Sequence, residues 1–352
     1  MADNETAVIG GVDCHLDTHH AVALDQHGRR LGDHEFRATL AGYGQLLNWL
    51  RQFGGLEAIG VESTASYGAG LTRFLTTAGA RVVEINQPHR HLRHRRGKTD
   101  AIDAEAAARK ILSGEATAIP KDTTGIVESI RQLRLVRAGA IKARSAALTQ
   151  LGDLIATAPA ELRERLIRKT LRGQASVCAR LRPDQARMNE PIQAAKLALR
   201  TLSERIVVLD AEVATFDRHL ESLVAKAAPR TTALLGISTG HAGQLLVTAG
   251  QNLDRLHTEA AFAHLCGAAP VPASSGKTTR HRLNWGGDRQ ANSALHMIAV
   301  VRLRYCSRTR VYAERRTTEG RSKREILRCL KRYIAREVFQ SLRADLTAPR
   351  PT

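Results

Sequence analysis

Asp100 and Asp103 stand three residues apart, so a helix through them projects both carboxylates from one face, roughly 5–6 Å apart at Cβ. Residues 89–98 run straight into this pair and carry Arg90, Arg93, Arg95, Arg96 and Lys98 among three histidines. Acids alone repel a polyanion, and bases alone repel a hard cation. Together they describe a site where Mg²⁺ (or Mn²⁺) sits between protein carboxylates and a phosphodiester. The same letters also fit a solvated helix start, with Thr99 as N-cap and acids favoured in the first turn by the helix dipole. The residues upstream bear on that choice.

Residues 7–13 form a short apolar run that ends in Asp13. Residues 20–24 and 32–37 read as the next two strands, joined by a turn at 25–28. Leu46, Leu47, Leu50 and Phe53 give helical periodicity over 42–53. Residues 58–62 repeat the first pattern, a buried strand that ends in Glu62. A helix over 67–78 and a strand over 81–85 complete a mixed β/α order. In open α/β sheets functional groups gather beyond the carboxyl ends of the strands. Asp13 and Glu62 both fall there, and they share a rim if their strands are neighbours. The Asp100/Asp103 helix can then pack across that rim. Asp17, Glu84 and Glu105 read as solvated surface acids.

Four acids of this kind, Asp13, Glu62, Asp100 and Asp103, resemble the ribonuclease-H-like fold. More narrowly they resemble the DEDD arrangement of RuvC-like Holliday-junction resolvases. The resemblance becomes specific in the surrounding words: Gly11-Val12-Asp13, Val61-Glu62-Ser63-Thr64 and Lys98-Thr99-Asp100-Ala101-Ile102-Asp103-Ala104. These are similar to the N-terminal half of IS110-type transposases. The resemblance implies that the four acids hold the metal and serve catalysis.

Charge points to the partner. Lys plus Arg number 53 against 34 Asp plus Glu, a formal net charge of +19, which suits nucleic acid. No apolar run approaches the roughly 20 residues that span a membrane. The first residues lack a charged and then apolar leader, so the expectation is a cytoplasmic protein. Five scattered cysteines without a Cys-x-x-Cys pair read as reduced thiols. Aromatics at 4% argue against broad base-stacking surfaces.

The expected class is α/β plus all-α, in three parts. Residues 5–122 form the RuvC-like domain, 123–228 a helical hairpin or coiled coil, and 229–350 a mainly helical C-terminal domain. In the middle part Leu199, Leu202, Ile206, Leu209, Val213 and Phe216 alternate spacings of 3 and 4, a heptad seam. It fits a projecting dimerisation arm and equally a plain helical bundle. In the last part, Gly236 to Gly240 between apolar stretches looks like a helix-hairpin-helix turn, whose backbone N–H groups can hold a phosphate. Leu235 stands where the family usually has proline, and a glycine turn between core helices fits as well.

Residues 265–292 are rich in proline, glycine and basic side chains and read as a loop. Ser275-Gly276 matches the Ser-Gly pair that carries the family's nucleophilic serine; read alone, it is a flexible turn. Lys277, Arg280 and Arg282 could neutralise the phosphate under attack. Trp285 sits where relatives often have a basic residue, which leaves its role open. Beyond it, Arg302 through Arg332 form the densest basic stretch, and Leu327, Leu330 and Ile334 give the last helix an apolar face.

The resemblance spans nearly the whole chain. It implies a DNA recombinase acting through the metal-binding acids and the serine, guided by a structured noncoding RNA, and working as a homo-oligomer, dimer or tetramer. Two rivals stand beside it. One is a metal-dependent junction-resolving nuclease that uses water; the other is a non-catalytic nucleic-acid-binding protein on a decayed nuclease fold.

Overall fold

A strand with no polar side chain before its end needs cover on both faces, and this requirement organises the first part of the chain. The computed structural model describes residues 6–86, 99–167, 170–276 and 281–347. Its first strands are β1 (Ala7–Cys14), β2 (Thr18–Asp25), β3 (Arg30–Arg37), β4 (Gly55–Glu62) and β5 (Val82–Ile85). They form one mixed sheet in the order β3-β2-β1-β4-β5. The central strand β1 pairs antiparallel with β2 and parallel with β4, where Val12 lies opposite Val61.

The two-residue period of a strand assigns the faces. Val8 and Val12 of β1 join Ile59 and Val61 of β4 in one core. Helices α1 (Leu40–Arg51) and α2 (Ala69–Thr77) cover it with Leu46, Leu50, Leu71 and Leu75, all fully buried. Ile9 and Ala58 turn the other way, into a second core with Val83, Ala104, Ala107 and Ala108. Those three alanines belong to α3 (Asp100–Leu112) and have no exposed surface. Alanine lets the helix lie close. A Cβ on Gly11 would stand 2.0 Å from the Ala104 carbonyl oxygen, and one on Gly60 would stand 3.0 Å from that of Ala107. Position 11 therefore admits only glycine if α3 is to rest on β1.

The remaining helices are α4 (Gly125–Thr157), α5 (Ala160–Leu166), α6 (Leu171–Cys178), α7 (Pro191–Ala227), α8 (Pro229–Thr232), α9 (Thr239–Ala249), α10 (Glu259–Leu265), α11 (Arg289–Tyr305), α12 (Ser307–Thr318) and α13 (Lys323–Thr347). The chain divides into two compact units. The first is discontinuous: Met1–Glu128 with the sheet, then Thr248–Asn292 and Arg328–Thr352. Within it a short ribbon pairs β6 (Val271–Pro272) with β7 (His281–Arg282). Nearby in sequence, α10 is tied to α13 by Glu259, which accepts from Arg332 Nη2 at 3.2 Å and Arg336 Nε at 2.5 Å. Phe262 packs on Phe339, ring centroids 5.8 Å apart.

The second unit comprises Ser129–Val247 and Ser293–Leu327. Its α4 and α7 pair as an antiparallel hairpin. Arg137 Nε meets Asp217 Oδ1 at 2.5 Å and Arg144 Nη1 meets Asp210 Oδ1 at 2.6 Å; two turns forward on one helix are two turns back on the other. Leu199, Leu202 and Ile206 of the expected seam pack with Leu151 and Ile155 of α4. A break separates the two long helices. Pro159 ends the run of α4, and α5, α6 and a 3₁₀ turn at Gln185–Arg187 fill the interval.

Candidate active site

The strand period that sorts the core also aims the acids. Asp13 follows Ile9 and Gly11 on the face that α3 covers, and Glu62 follows Ala58 and Gly60 on the same face. Because Val12 pairs with Val61, Asp13 and Glu62 are the next residues on neighbouring parallel strands. The α3 helix starts at this rim. Thr99 caps it, its Oγ1 accepting from the Ile102 N–H at 3.3 Å, and Asp100 and Asp103 lie in its first turn. Asp13 and Asp103 are buried, 8% and 2% exposed. Strand register and the start of α3 thus put the four expected acids along one edge of the sheet; among the described residues Asp13 and Asp100 come close enough to share a cation, and Glu62 and Asp103 do not join that group.

The chain leaves β4 abruptly. Ser63, immediately after Glu62, has φ of 55°, a left-handed conformation that costs a non-glycine residue of order 1–3 kcal/mol. The turn is held by Ser66 and Gly68, whose N–H groups donate to the Ser63 carbonyl at 2.8 and 3.1 Å. Strained backbone beside a candidate ligand fixes where the Glu62 side chain can reach.

One residue of the site escaped the sequence reading. His15 Nε2 lies 3.2 Å from Asp13 Oδ2 and 3.3 Å from Asp100 Oδ1, with both His15 and Asp100 side chains 44% exposed. One ligand atom from each of Asp13, His15 and Asp100 fits within 4.8 Å of the others. Neighbouring donors on a cation with bonds near 2.1 Å stand about 3 Å apart, so this spacing and these donor types fit a divalent ion. The available signal was the strand period, since a step of two from Asp13 keeps the face. Negative charge gathers here: burial first, then Asp13 and Glu62, push the Cys14 thiol far above its ordinary value. Glu105, by contrast, is taken up by Arg109 at 2.7 Å.

The serine stands apart in its surroundings. Ser275 is exposed, between the strands of the β6/β7 ribbon and in the same compact unit as the acids, with no described hydrogen bond to any of them. Gly276 beside it takes φ of 57° with open space around it. Arg282 is exposed on β7. Lys277, Arg280, Arg90, Arg93, Arg95, Arg96 and Lys98 lie outside the described residues. In the second unit Gly236 turns the chain with φ of 84° just before α9. Gly240 sits in the first turn of α9, its carbonyl accepting from Arg134 Nη1 at 2.8 Å. The α12 helix, with Arg308, Arg310, Arg315 and Arg316, buries none of its residues. A concavity of about 520 Å³ with Arg73, Arg81 and Lys121 in its wall holds none of the four acids.

Two family models match. The model of the DEDD domain of IS110 transposases covers residues 10–158, which include all four acids. The model of the IS116/IS110/IS902 transposase family covers residues 230–314, which include Ser275 and the Gly236 turn. No curated protein matches the chain. The DEDD domain implies a ribonuclease-H-like fold, with which the five-stranded mixed sheet agrees, and the use of a divalent metal. Among the described residues no helix is long and apolar enough to cross a membrane.

Proposed function

Since the chain belongs to the IS110 family of transposases, enzymes that act on DNA, we propose that it cuts and exchanges DNA strands with Ser275 as nucleophile and Asp13, Glu62, Asp100 and Asp103 as metal ligands. His15 joins that set. The observation that supports this reading is the convergence of Asp13, His15 and Asp100 at one sheet edge, in the unit that also contains the serine ribbon. A bound Mg²⁺ or Mn²⁺ would neutralise charge that builds on the phosphate. The protein's own part is to hold the scissile phosphate against the rim and to present Ser275. The Ser275 hydroxyl gives up its proton, its oxygen bonds to phosphorus, and a deoxyribose oxygen leaves, so one DNA end becomes covalently joined to the protein. A free deoxyribose hydroxyl of a second strand then attacks that phosphorus and loses its proton, the new phosphodiester forms, the bond to the serine oxygen breaks, and Ser275 regains a proton.

The partners follow from the same reading. Recombination must hold two duplexes, which favours a dimer or tetramer. The charge of +19 suits a protein that holds a structured guide RNA as well as DNA. We assign these tasks to three stretches of sequence, 5–122, 123–228 and 229–350, the last of which contributes to both compact units. A second reading is a junction-resolving nuclease that activates water with the acids alone. The two separate cleanly. Incubation with Mg²⁺, the candidate RNA and labelled target DNA, followed by denaturation, leaves label on the polypeptide only if the serine attacks. Ser275→Ala abolishes that adduct and recombination while Ser274→Ala keeps both. Recombination at the wild-type rate by Ser275→Ala overturns the serine mechanism.

A further inference from the structure

Trp285 is 74% exposed, yet the loop that presents it is firmly built. The Asn284 amide donates to the His264 carbonyl at 2.7 Å and its Oδ1 accepts from the Gly286 N–H at 3.0 Å. Gly287 is pressed on Gly267, so closely that a Cβ there would stand 2.4 Å from the Gly267 nitrogen. Asp288 then caps α11, accepting from the Gln290 and Ala291 N–H groups at 2.8 and 3.1 Å. An exposed indole on a loop held by these bonds presents a flat apolar face that a ligand can cover.

What surrounds the indole defines the ligand. Trp285 walls a recess of about 420 Å³ together with Leu283, Arg289, Arg328 and Lys331. A second recess of about 350 Å³ shares Leu283, Arg328 and Lys331 and adds Arg282 and Arg332. Among the described residues lining either recess there is no carboxylate. Lys331 is anchored, its ammonium donating to Asn292 Oδ1 at 2.8 Å. Burial and then the neighbouring Arg328 hold its pKa below the ordinary lysine value. Arg332 is paired with Glu259, and a flat apolar face beside the remaining Arg289, Arg328 and Lys331 matches the two halves of a nucleotide, a base and a phosphate. Volumes of this size suit a small ligand.

We propose that this recess takes one unpaired nucleotide of a nucleic-acid strand, its base stacked on Trp285 and its phosphate against Arg289, Arg328 and Lys331. The inference rests on the DNA-acting reading above and adds a base-binding position to it, ten residues beyond Ser275 in the chain. A base held here is out of its stack, so the site selects distorted or single-stranded segments over intact duplex.

The test uses the full chain and short strands of one sequence: DNA, RNA, an abasic strand of equal length, and the DNA duplex. Trp285 is one of two tryptophans, and Trp49 is packed on Phe36 and Phe53, so quenching of the exposed emission reports on Trp285. The base-bearing strands quench it and the abasic strand does not; comparing DNA with RNA identifies which supplies the base. Trp285→Ala weakens base-bearing strands by roughly 5–150-fold, leaves the abasic strand unchanged and keeps the melting temperature, whereas Trp285→Phe retains most of the affinity. Arg328→Ala weakens normal and abasic strands alike and lowers the salt slope by about one. Equal binding of all strands by wild type and Trp285→Ala, with loss only in Arg328→Ala, reduces the site to a phosphate contact and overturns the proposal. So does an unquenched Trp285 whose replacement changes self-association in sedimentation, which would make the face a protein interface. Duplex binding that persists in either case leaves the DNA-acting reading standing; failure of every strand and the duplex to bind removes both.

Discussion

The acid rim and the serine ribbon belong to one compact unit and are built in opposite ways. The rim is fixed from below. Asp13 ends the central strand of a sheet covered on both faces, and α3 is pressed onto that strand through Gly11 and three fully buried alanines. The ribbon is two residues long on each side, and Ser275 and Gly276 project into solvent. Ligands to a cation must hold their spacing to within tenths of an ångström, and a nucleophile must reach a substrate as large as DNA. Rigid support serves the first need and exposure the second. Substitutions should therefore behave differently at the two places: at the rim they change metal binding, and the fold as well where they disturb the contact with α3, whereas removing the serine hydroxyl at the ribbon changes chemistry alone.

The largest effect is expected at Asp13. Asp13→Asn keeps the shape and removes a negative ligand, so strand cleavage should fall by about 10³-fold or more. The rise in melting temperature on adding Mg²⁺ or Mn²⁺ should vanish with it. Ser275→Ala should lose strand transfer to a similar extent yet keep the metal-dependent rise. A metal response that survives Asp13→Asn, or is lost in Ser275→Ala, would erase the distinction between rim and ribbon.

Next comes one substitution made in both places. Gly11→Ala puts a methyl 2.0 Å from the Ala104 carbonyl, and neither backbone can yield without moving α3, so we expect a loss of about 3 kcal/mol in unfolding free energy. Gly276→Ala meets nothing within 4 Å and is opposed only by its φ of 57°, a cost of about 1–2 kcal/mol. Denaturant titration of the two variants compares them directly. Equal losses would mean that α3 is not held to the sheet through Gly11.

His15→Ala sharpens the rim further. If the imidazole is a ligand alongside Asp13 and Asp100, its loss should weaken Mn²⁺ binding by roughly 10-fold, in the range of removing a supporting group at a metal site, with little change in melting temperature without metal. Calorimetric titration with Mn²⁺ measures it. An unchanged affinity would leave His15 as a neighbour of the acids and nothing more.

Much of the rim was legible in the sequence because strand geometry is periodic. Two apolar runs that end in Asp13 and Glu62, and a capped helix that starts at Asp100, locate three elements and their open ends. The parity that aims both acids at α3 follows from Ile9, Gly11, Ala58 and Gly60. His15 lies one residue past the end of β1, so only a continuation of the strand's step of two from Asp13 could have pointed to it. Gly11 and Gly60 read as small residues in a strand until the helix above them is seen. The return of Thr248–Asn292 and Arg328–Thr352 to the sheet unit has no local signature, because it depends on contacts between segments far apart in sequence. The hairpin lies between these cases: its seam at Leu199, Leu202 and Ile206 was readable, whereas its pairing with α4 through Asp210 and Asp217 needed both helices in place.

The smallest expected effect concerns the support of the ribbon half. Glu259 on α10 accepts from Arg336 at 2.5 Å and from Arg332 at 3.2 Å on α13. The hydrogen bond from Arg336, with help from Arg332 and against some burial, holds the Glu259 carboxyl below its ordinary 4.5. A carboxylate whose pKa is lowered by folding adds stability above its unfolded value and loses it as the pH falls through the folded one. The clasp should thus contribute fully at neutral pH and fade below about 4.5. Other carboxylates titrate in the same range, so the quantity to follow is the difference in melting temperature between wild type and Glu259→Gln. That difference should be small, because the pair is open to water and screened by salt, constant from neutral pH down to the ordinary carboxylate value, and gone well below it. Arg336→Met should remove most of it on its own, and the double variant should add little. A difference that persists in acid would show that Glu259 works through packing on α13 and not through charge; the ribbon half would then be held by its apolar contacts, Phe262 on Phe339 among them, as the rim half is held by its alanines.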